Sequence, residues 1–323
     1  MNSKANDAVR LIKKYSGLLA VLLAMVVIVT VSNPRFIGID NIIAVFRQIS
    51  IYGVMGVGMA ILIINGYFDL SVGSMAGLCG VLAALVMNHG GNALMGVLTA
   101  VIVGIVIGVF NGAIVCYTGI PAFVFTLAMT QILRGAIYLI TNGNPVTGIT
   151  EGFLEINGGD LFGIPIPIYI MFIIMFLGWI LMNHTTIGRS IYATGGSPTA
   201  ARYSGIRINR ITLFSFGLCG FTAAVGGIIL SSKLQSAQPT MGTSYEMDAI
   251  SVAAIGGTSL AGGEGTIGGV LFGAMILGVI NNGMVMMGIS SYWQMVVKGL
   301  VIAGAVIIDI ARKNAALNKK TKQ

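Results

Sequence analysis

Apolar runs follow one another along nearly all of this 323-residue chain. Several approach the roughly 20 residues that a helix needs to cross a bilayer. Apolar residues make up 56% of the chain, charged residues only 9%, and mean hydropathy is +0.92. A soluble domain of this length cannot hide that much apolar surface, so the composition specifies a polytopic membrane protein. The net charge of +8 does not imply nucleic acid, because the basic residues gather at the chain ends and in one loop, as membrane topology requires. Cys79, Cys116 and Cys219 all lie inside apolar runs and read as small buried hydrophobes. His89 and His184 stand far apart, so neither a metal site nor a cofactor is expected.

The runs are interrupted in an informative way. Asn65-Gly66-Tyr67-Phe68-Asp69-Leu70-Ser71-Val72-Gly73-Ser74 sets one carboxylate between two long apolar stretches, among glycines and serines. Irregular backbone survives at membrane depth only where protein or a watery cavity surrounds it. Asp69 is therefore read as functional or as a helix-capping group. A related stretch, Asp248-Ala249-Ile250-Ser251-Val252, leads to Gly256-Gly257 in the other half. Each is followed by a second echo, Gly108-Val109-Phe110-Asn111-Gly112 and Gly278-Val279-Ile280-Asn281-Asn282-Gly283. Paired interruptions of this kind point to a transport pathway. Asn65, Asp69, Ser71, Asn111, Asp248, Ser251, Asn281 and Asn282 are the candidate path or broken-helix residues. The two carboxylates are expected to accept backbone N–H groups at helix starts.

Ten segments are expected, at about 16–31, 49–65, 70–88, 93–115, 121–141, 165–183, 211–231, 247–257, 265–287 and 292–310. The eighth is too short to span alone. Residues 1–15 form a polar basic tail, 16–141 a first repeat and 142–164 an external loop. A second repeat, 165–310, contains a cytoplasmic loop at 184–210, and 311–323 is a basic tail. The basic head before Ser16 resembles a signal peptide, but no small-residue cleavage site stands out before Asn33-Pro34, so the segment is kept as an anchor. Pro34 to Val45 reads as a short external linker. Thirteen of the eighteen basic residues fall in the two tails and the 184–210 loop, which puts both termini in the cytoplasm. Five spans per repeat then require the halves to insert in opposite senses. The expected fold is all-α, with ten segments in two inverted-topology repeats. Arg134 and Lys298 occupy loosely matching places in the halves and read first as cations snorkelling to the outer headgroups, second as gating groups.

Within the cytoplasmic loop, Ser197-Pro198-Thr199-Ala200-Ala201-Arg202-Tyr203-Ser204-Gly205 has Ser at the N-cap, Pro at the first helical position and Gly at the C-terminal cap. It is a short punctuated helix, either a surface connector or a docking element, with Ala200, Ala201 and Tyr203 as its offered face. Gly195-Gly196 and Gly205 are expected hinges. The chain contains no G-x-x-x-x-G-K-[ST] and so no P-loop of its own. No Ser/His/Asp set and no H-E-x-x-H is present, which argues against an enzyme. The run from Gly256 to Gly265 has the look of a phosphate loop but lacks a lysine. It reads instead as a kinked segment with a cytoplasmic contact at Gly263 and Glu264.

Taken together, Asp69-Leu70-Ser71-Val72-Gly73-Ser74, Thr141-Asn142-Gly143-Asn144-Pro145-Val146, Gly188-Arg189 with Tyr192-Ala193-Thr194-Gly195-Gly196, Ser204-Gly205-Ile206, Gln235-Ser236-Ala237-Gln238-Pro239 and Gly256-Gly257-Thr258-Ser259-Leu260-Ala261-Gly262-Gly263 resemble the permease subunit of ribose-type bacterial ABC sugar importers. The resemblance runs from about residue 16 to 310. It implies a multi-pass protein of the bacterial inner membrane that carries a monosaccharide, a pentose such as ribose. It also implies a separate ATP-binding subunit with P-loop domains, a periplasmic sugar-binding protein and a second permease copy as partners. Membrane lipid is a further expected contact; nucleic acid is not. On this resemblance Ser197, Pro198, Ala200, Ala201, Arg202, Tyr203 and Gly205 form the coupling helix, with Gly263 and Glu264 beside it. A self-sufficient secondary transporter is the alternative that inverted repeats leave open.

Overall fold

The computed structural model describes residues 2–301, 303, 304 and 307, with side chains described from residue 15 onward. Among the described residues the regular elements are helices but for a two-stranded hairpin, Asp160–Leu161 against Ile164–Pro165. The helices are α1 (Asn2–Ser32), α2 (Ile39–Ile64), α3 (Val72–Asn88), α4 (Ala93–Thr118), α5 (Ala122–Thr141), α6 (Glu151–Gly158), α7 (Ile166–His184), α8 (Thr186–Gly196), α9 (Pro198–Tyr203), α10 (Ile208–Leu234), α11 (Tyr245–Ile255) and α12 (Ile267–Met286). Residues 291–301 are helical again and are called α13. Each of the ten expected segments contains a helix. Seven of these helices are long and apolar enough to cross a membrane, whereas α3 has 17 residues and α11 only 11. The tail at 311–323 and the end of the last segment lie outside the described residues.

The boundaries differ where polar residues sit inside helices. The second segment was expected to begin near residue 49, yet α2 starts at Ile39 after one 3-10 turn, Pro34–Ile37. Asp40, Asn41 and Arg47 made that stretch look like a linker. The structure satisfies two of them internally, while Asp40 lies exposed: Asn41 and Asn282 exchange side-chain bonds of 3.1 and 2.9 Å, and the Arg47 guanidinium donates to the Asn157 carbonyl. The basic tail before Ser16 likewise continues into α1 as helix. The loop at 142–164 is not structureless, since it holds α6 and the hairpin, and Val146 pairs with Ala237 as an isolated antiparallel bridge. The loop at 184–210 holds α8 as well as the expected short helix.

Helices α2 and α10 form the centre, enclosed over most of their length, while α1, α4 and α5 present large apolar side chains outward. A membrane protein inverts the soluble pattern in this way because lipid, not water, surrounds it. The α4–α10 contact explains part of the glycine content. Gly104, Gly108 and Gly220 let the two backbones meet, for an added Cβ would overlap the carbonyl oxygens of Gly220, Phe216 and Gly104 respectively. Small residues spaced by four make this approach possible, and van der Waals contact then holds the helices.

Candidate functional site

The break after α2 is a helix end built to stop. Asn65 is the C-cap and Gly66, at φ 94°, follows in the left-handed region. Gly66 N donates to the Ile63 carbonyl at 2.8 Å and Tyr67 N to the Leu62 carbonyl at 3.1 Å, the paired closure that glycine favours. The chain then crosses to α3 through Asp69, which is wholly buried. Asp69 Oδ1 accepts from Ser71 N at 2.8 Å and from Ser71 Oγ at 2.5 Å; Oδ2 accepts from Asn111 Nδ2 at 3.2 Å. Asn111 Nδ2 also lies 3.0 Å from Ser71 Oγ. The carboxylate thus accepts one backbone N–H ahead of α3, as expected, and two side-chain donors besides.

Neighbouring helices complete the break. Thr126 Oγ1 accepts from Leu70 N at 3.0 Å, Thr130 Oγ1 donates to the Leu70 carbonyl at 2.8 Å, and Asn65 Nδ2 donates to Thr212 Oγ1 at 3.2 Å. Away from water each unpaired backbone group costs several kcal/mol, so these threonines are part of the site. Sequence reasoning missed them. Thr126 and Thr130 are four residues apart on α5, hence on one face, and that spacing was the available signal.

Asp248 departs from its expected role. It lies in the first turn of α11, but its partner is Lys298, with Nζ 2.8 Å from Oδ1 and 3.1 Å from Oδ2. Lys298 therefore does not snorkel. Nor does Arg134, whose Nη1 donates to the Pro239 carbonyl at 2.7 Å and the Met241 carbonyl at 2.8 Å. These are carbonyls of the loop entering α11, and the loop is pressed into the protein, with Gly242 against the Gly73 carbonyl. Asn281 Nδ2 donates to Tyr52 Oη at 2.9 Å, while Ser251 Oγ donates to its own helix at the Met247 carbonyl, 2.7 Å away. The path candidates therefore form two separate clusters. Asp69, Ser71 and Asn111 make one, with Asn65 at the same break but bonded to Thr212; Asp248 and Asn281 belong to the other; Ser251 and Asn282 are bonded elsewhere.

The α8–α9 region meets the α2 break directly. Gly263 N donates to the Ile64 carbonyl at 2.8 Å, and Gly195 packs so closely there that an added Cβ would overlap the same oxygen. Gly195 and Gly196 are the last turn of α8 rather than free hinges. Tyr192 Oη ties α8 to the Gly265 carbonyl at 2.8 Å. Helix α9 has the expected punctuation: Ser197 Oγ accepts from Ala200 N at 3.3 Å, Pro198 opens the helix, and Gly205 at φ 80° follows its end. Its offered face needs one correction. Ala201 is 3% exposed and faces the protein, whereas Tyr203 is 88% exposed, and Ser197, Pro198, Ala200, Arg202 and Gly205 also lie at the surface. Glu264 is exposed as well, while Gly263 is used up in the contact with Ile64.

Comparison with known proteins follows the same outline. The family model described as "Branched-chain amino acid transport system / permease component" matches residues 41–306. The chain is 45% identical to the ribose import permease protein RbsC of Escherichia coli (strain K12), over 90% of this chain and 92% of that protein. It is 40% identical to the ribose import permease protein RbsC of Bacillus subtilis (strain 168), over 91% and 92% of the two. It is 34% identical to the D-allose transport system permease protein AlsC of Escherichia coli (strain K12), over 92% and 91%. No solved structure matches the chain.

Proposed function

The chain belongs to this permease family, in its ribose-type ABC sugar branch, and from that premise we propose that it is the transmembrane subunit of an importer carrying ribose or a closely similar pentose. The observation that carries the reading is the identity to ribose import permeases over nine-tenths of the chain. The protein is a multi-pass protein of the bacterial inner membrane, and a self-sufficient secondary transporter is not favoured. ATP hydrolysis is assigned to a separate P-loop subunit, delivery to a periplasmic sugar-binding protein, and the second half of the pore to another copy of this chain within the lipid.

In this reading ten segments form two inverted repeats with both termini in the cytoplasm, as the distribution of basic residues supports. The end of the molecule bearing α8 and α9 is then the inner end. The ATPase subunit grips α9 through Ser197, Pro198, Ala200, Arg202 and Tyr203, with Glu264 beside it. Motion of α9 passes through α8 and the Gly195–Ile64–Gly263 contact to the end of α2. There it reaches the Asn65–Ser71 break, whose backbone is not locked in a helix and which α4, α5 and α10 hold through side-chain bonds. The inner cluster of Asn65, Asp69, Ser71 and Asn111 and the outer cluster of Asp248 and Asn281 are taken to border the path.

Uptake of labelled monosaccharides by the complex reconstituted with its ATPase and binding protein tests the carried solute. Ribose or another pentose should accumulate with ATP; ATP-independent uptake, or none of any sugar, would overturn the reading. Reporter fusions at Gly158 and Tyr203 should report opposite sides, external and cytoplasmic. The same side for both would remove the ten-segment topology.

A further inference from the structure

The hairpin before α7 carries a strained aromatic residue at its tip. Asp160 pairs with Pro165 and Leu161 with Ile164, so Phe162 and Gly163 are the two turn residues, at φ 53° and 76°. Asn-Gly is the pair that such a turn favours, and a bulky side chain at positive φ is an outlier. Among the described residues three other non-glycine positions share that region, Asn142, Gln235 and Ser244, and each is a polar residue at a helix end. Phe162 closes no helix and fills no core, being 92% exposed. Backbone strain held in place by its surroundings marks a site where function needs that residue.

The tip is held out firmly. Tyr169 Oη, in the first turn of α7, donates to the Leu161 carbonyl at 2.9 Å, and Ile166 N donates to the Gly159 carbonyl at 3.1 Å. Leu161 and Ile164 flank Phe162 and are themselves exposed, so three large apolar side chains stand together, the mark of an interaction site rather than of a scattered surface residue. The surrounding charge indicates what kind. Residues 142–165 contain Glu151, Glu155 and Asp160 and no lysine or arginine, and all three carboxylates are exposed. Two cations border α6, but Arg47 is engaged by the Asn157 carbonyl and Lys233 by Gln48 Oε1. An acidic surround of this kind repels the anionic headgroups of a bilayer. It suits a protein partner that rims an apolar pocket with lysine and arginine.

We propose that the tip formed by Leu161, Phe162 and Ile164 is the anchor on which the periplasmic sugar-binding protein docks, with Phe162 entering an apolar pocket rimmed by basic residues. The proposal rests on the sugar-import reading above, which names that partner but no surface for it. The hairpin runs straight into α7, which packs on α2 and leads on to α8. A partner held at the tip therefore sits at one end of the element whose other end bears α8 and α9.

The test uses the complete permease–ATPase complex in bilayer discs and the ribose-loaded sugar-binding protein. Phe162→Asn should weaken binding of that protein about ten-fold or more, the loss of an aromatic anchor. It should at the same time raise the thermal midpoint of the complex by about 2 °C, because asparagine relieves the turn. Phe162→Tyr, which keeps the ring, should bind within a few-fold of wild type. Unchanged affinity in the assembled Phe162→Asn complex would overturn the anchor while leaving the importer reading intact, and weaker binding with a lowered midpoint would reduce the tip to a structural part. Asp160→Lys should weaken binding and flatten its salt dependence; if Phe162→Asn does not assemble, unchanged binding by Asp160→Lys overturns the anchor instead. A polarity-sensitive dye on Phe162→Cys, in a Cys116→Ser background, should report water until the partner is added. An apolar signal before that addition would place the tip in lipid and overturn the docking role. Failure of the wild-type complex to bind the sugar-binding protein loaded with any pentose would overturn both readings.

Discussion

Lys298 Nζ lies 2.8 Å from Asp248 Oδ1, joining α13 to the first turn of α11 across 50 residues of sequence. Both groups are withdrawn from the surface, Asp248 almost completely. A buried pair of this kind is dangerous to break, because the group left behind keeps its desolvation cost without its partner. Lys298→Met should therefore destabilise the protein by about 3–5 kcal/mol, and Asp248→Asn combined with Lys298→Met should recover a large part of that loss. Thermal unfolding of the purified permease checks this. Equal losses in the single and double variants would show that the pair is not coupled.

Asp69 has a different environment, and its substitutions should behave differently. Among the described residues its bonds come from Ser71 and Asn111, both neutral. Asp69→Asn keeps one oxygen to accept from Ser71 N, and Asn111, whose Oδ1 is unpaired, has only to turn its amide to meet the new donor. Uptake should stay within a few-fold of wild type. Asp69→Leu takes the acceptor from Ser71 N and from the Ser71 hydroxyl inside the protein, at about 1–3 kcal/mol each, and should abolish assembly. Loss of uptake in a normally assembled Asp69→Asn complex would mean that the negative charge itself is needed.

The two adjacent glycines of α8 provide a matched pair. A Cβ on Gly195 would overlap the Ile64 carbonyl oxygen, while one on Gly196 meets nothing within 4 Å. Gly195→Ala should push α8 away from the α2 break and reduce both sugar-stimulated ATP hydrolysis and uptake. Gly196→Ala should leave both near wild type. Similar behaviour of the two variants would argue against force passing through this contact.

Helix α9 yields a prediction with two outcomes on neighbouring residues. Ala200 and Tyr203 are exposed and Ala201 is buried. Ala200→Arg and Tyr203→Ala should weaken association with the ATPase subunit while leaving the amount of folded permease unchanged, since an exposed aromatic residue is a favoured interface anchor. Ala201→Arg should instead lower the amount of folded permease, because it forces a cation into the α9 underside. Co-purification of the ATPase measures the first effect and membrane abundance the second. Full association in both Ala200→Arg and Tyr203→Ala would make α9 a mere connector.

Arg134 should prove to be a clamp on the loop that enters α11. Replacing it with Gln removes the guanidinium that binds the Pro239 and Met241 carbonyls, bonds from a charged donor worth about 1.5–3 kcal/mol. Arg134→Gln should lower thermal stability and raise proteolysis near Gln238 without altering sugar preference. A changed preference with unchanged stability would move Arg134 into the path.

What the chain declares by itself is whatever depends on near neighbours. The helical class follows from run length and composition. The stop after α2 follows from Asn65-Gly66, since only a residue tolerant of positive φ closes a helix in that way, and the ends of α9 follow from Ser197, Pro198 and Gly205. The pairing of distant polar groups could not be read in the same manner. Asp69 and Asp248 look alike in sequence, yet one faces Ser71 and Asn111 and the other faces Lys298. Arg134 and Lys298, alike as lone cations inside apolar runs, end on loop carbonyls and on a carboxylate. A buried polar group requires a partner wherever it lies, so the sequence announces the need. Which helix comes alongside to meet it is settled by packing, and packing is decided by small residues such as Gly104, Gly108 and Gly220 across hundreds of ångströms of chain contour. The same holds for the underside of α9: capping sets the length of that helix, but only its contact with the rest of the fold turns Ala201 inward and leaves Tyr203 outside.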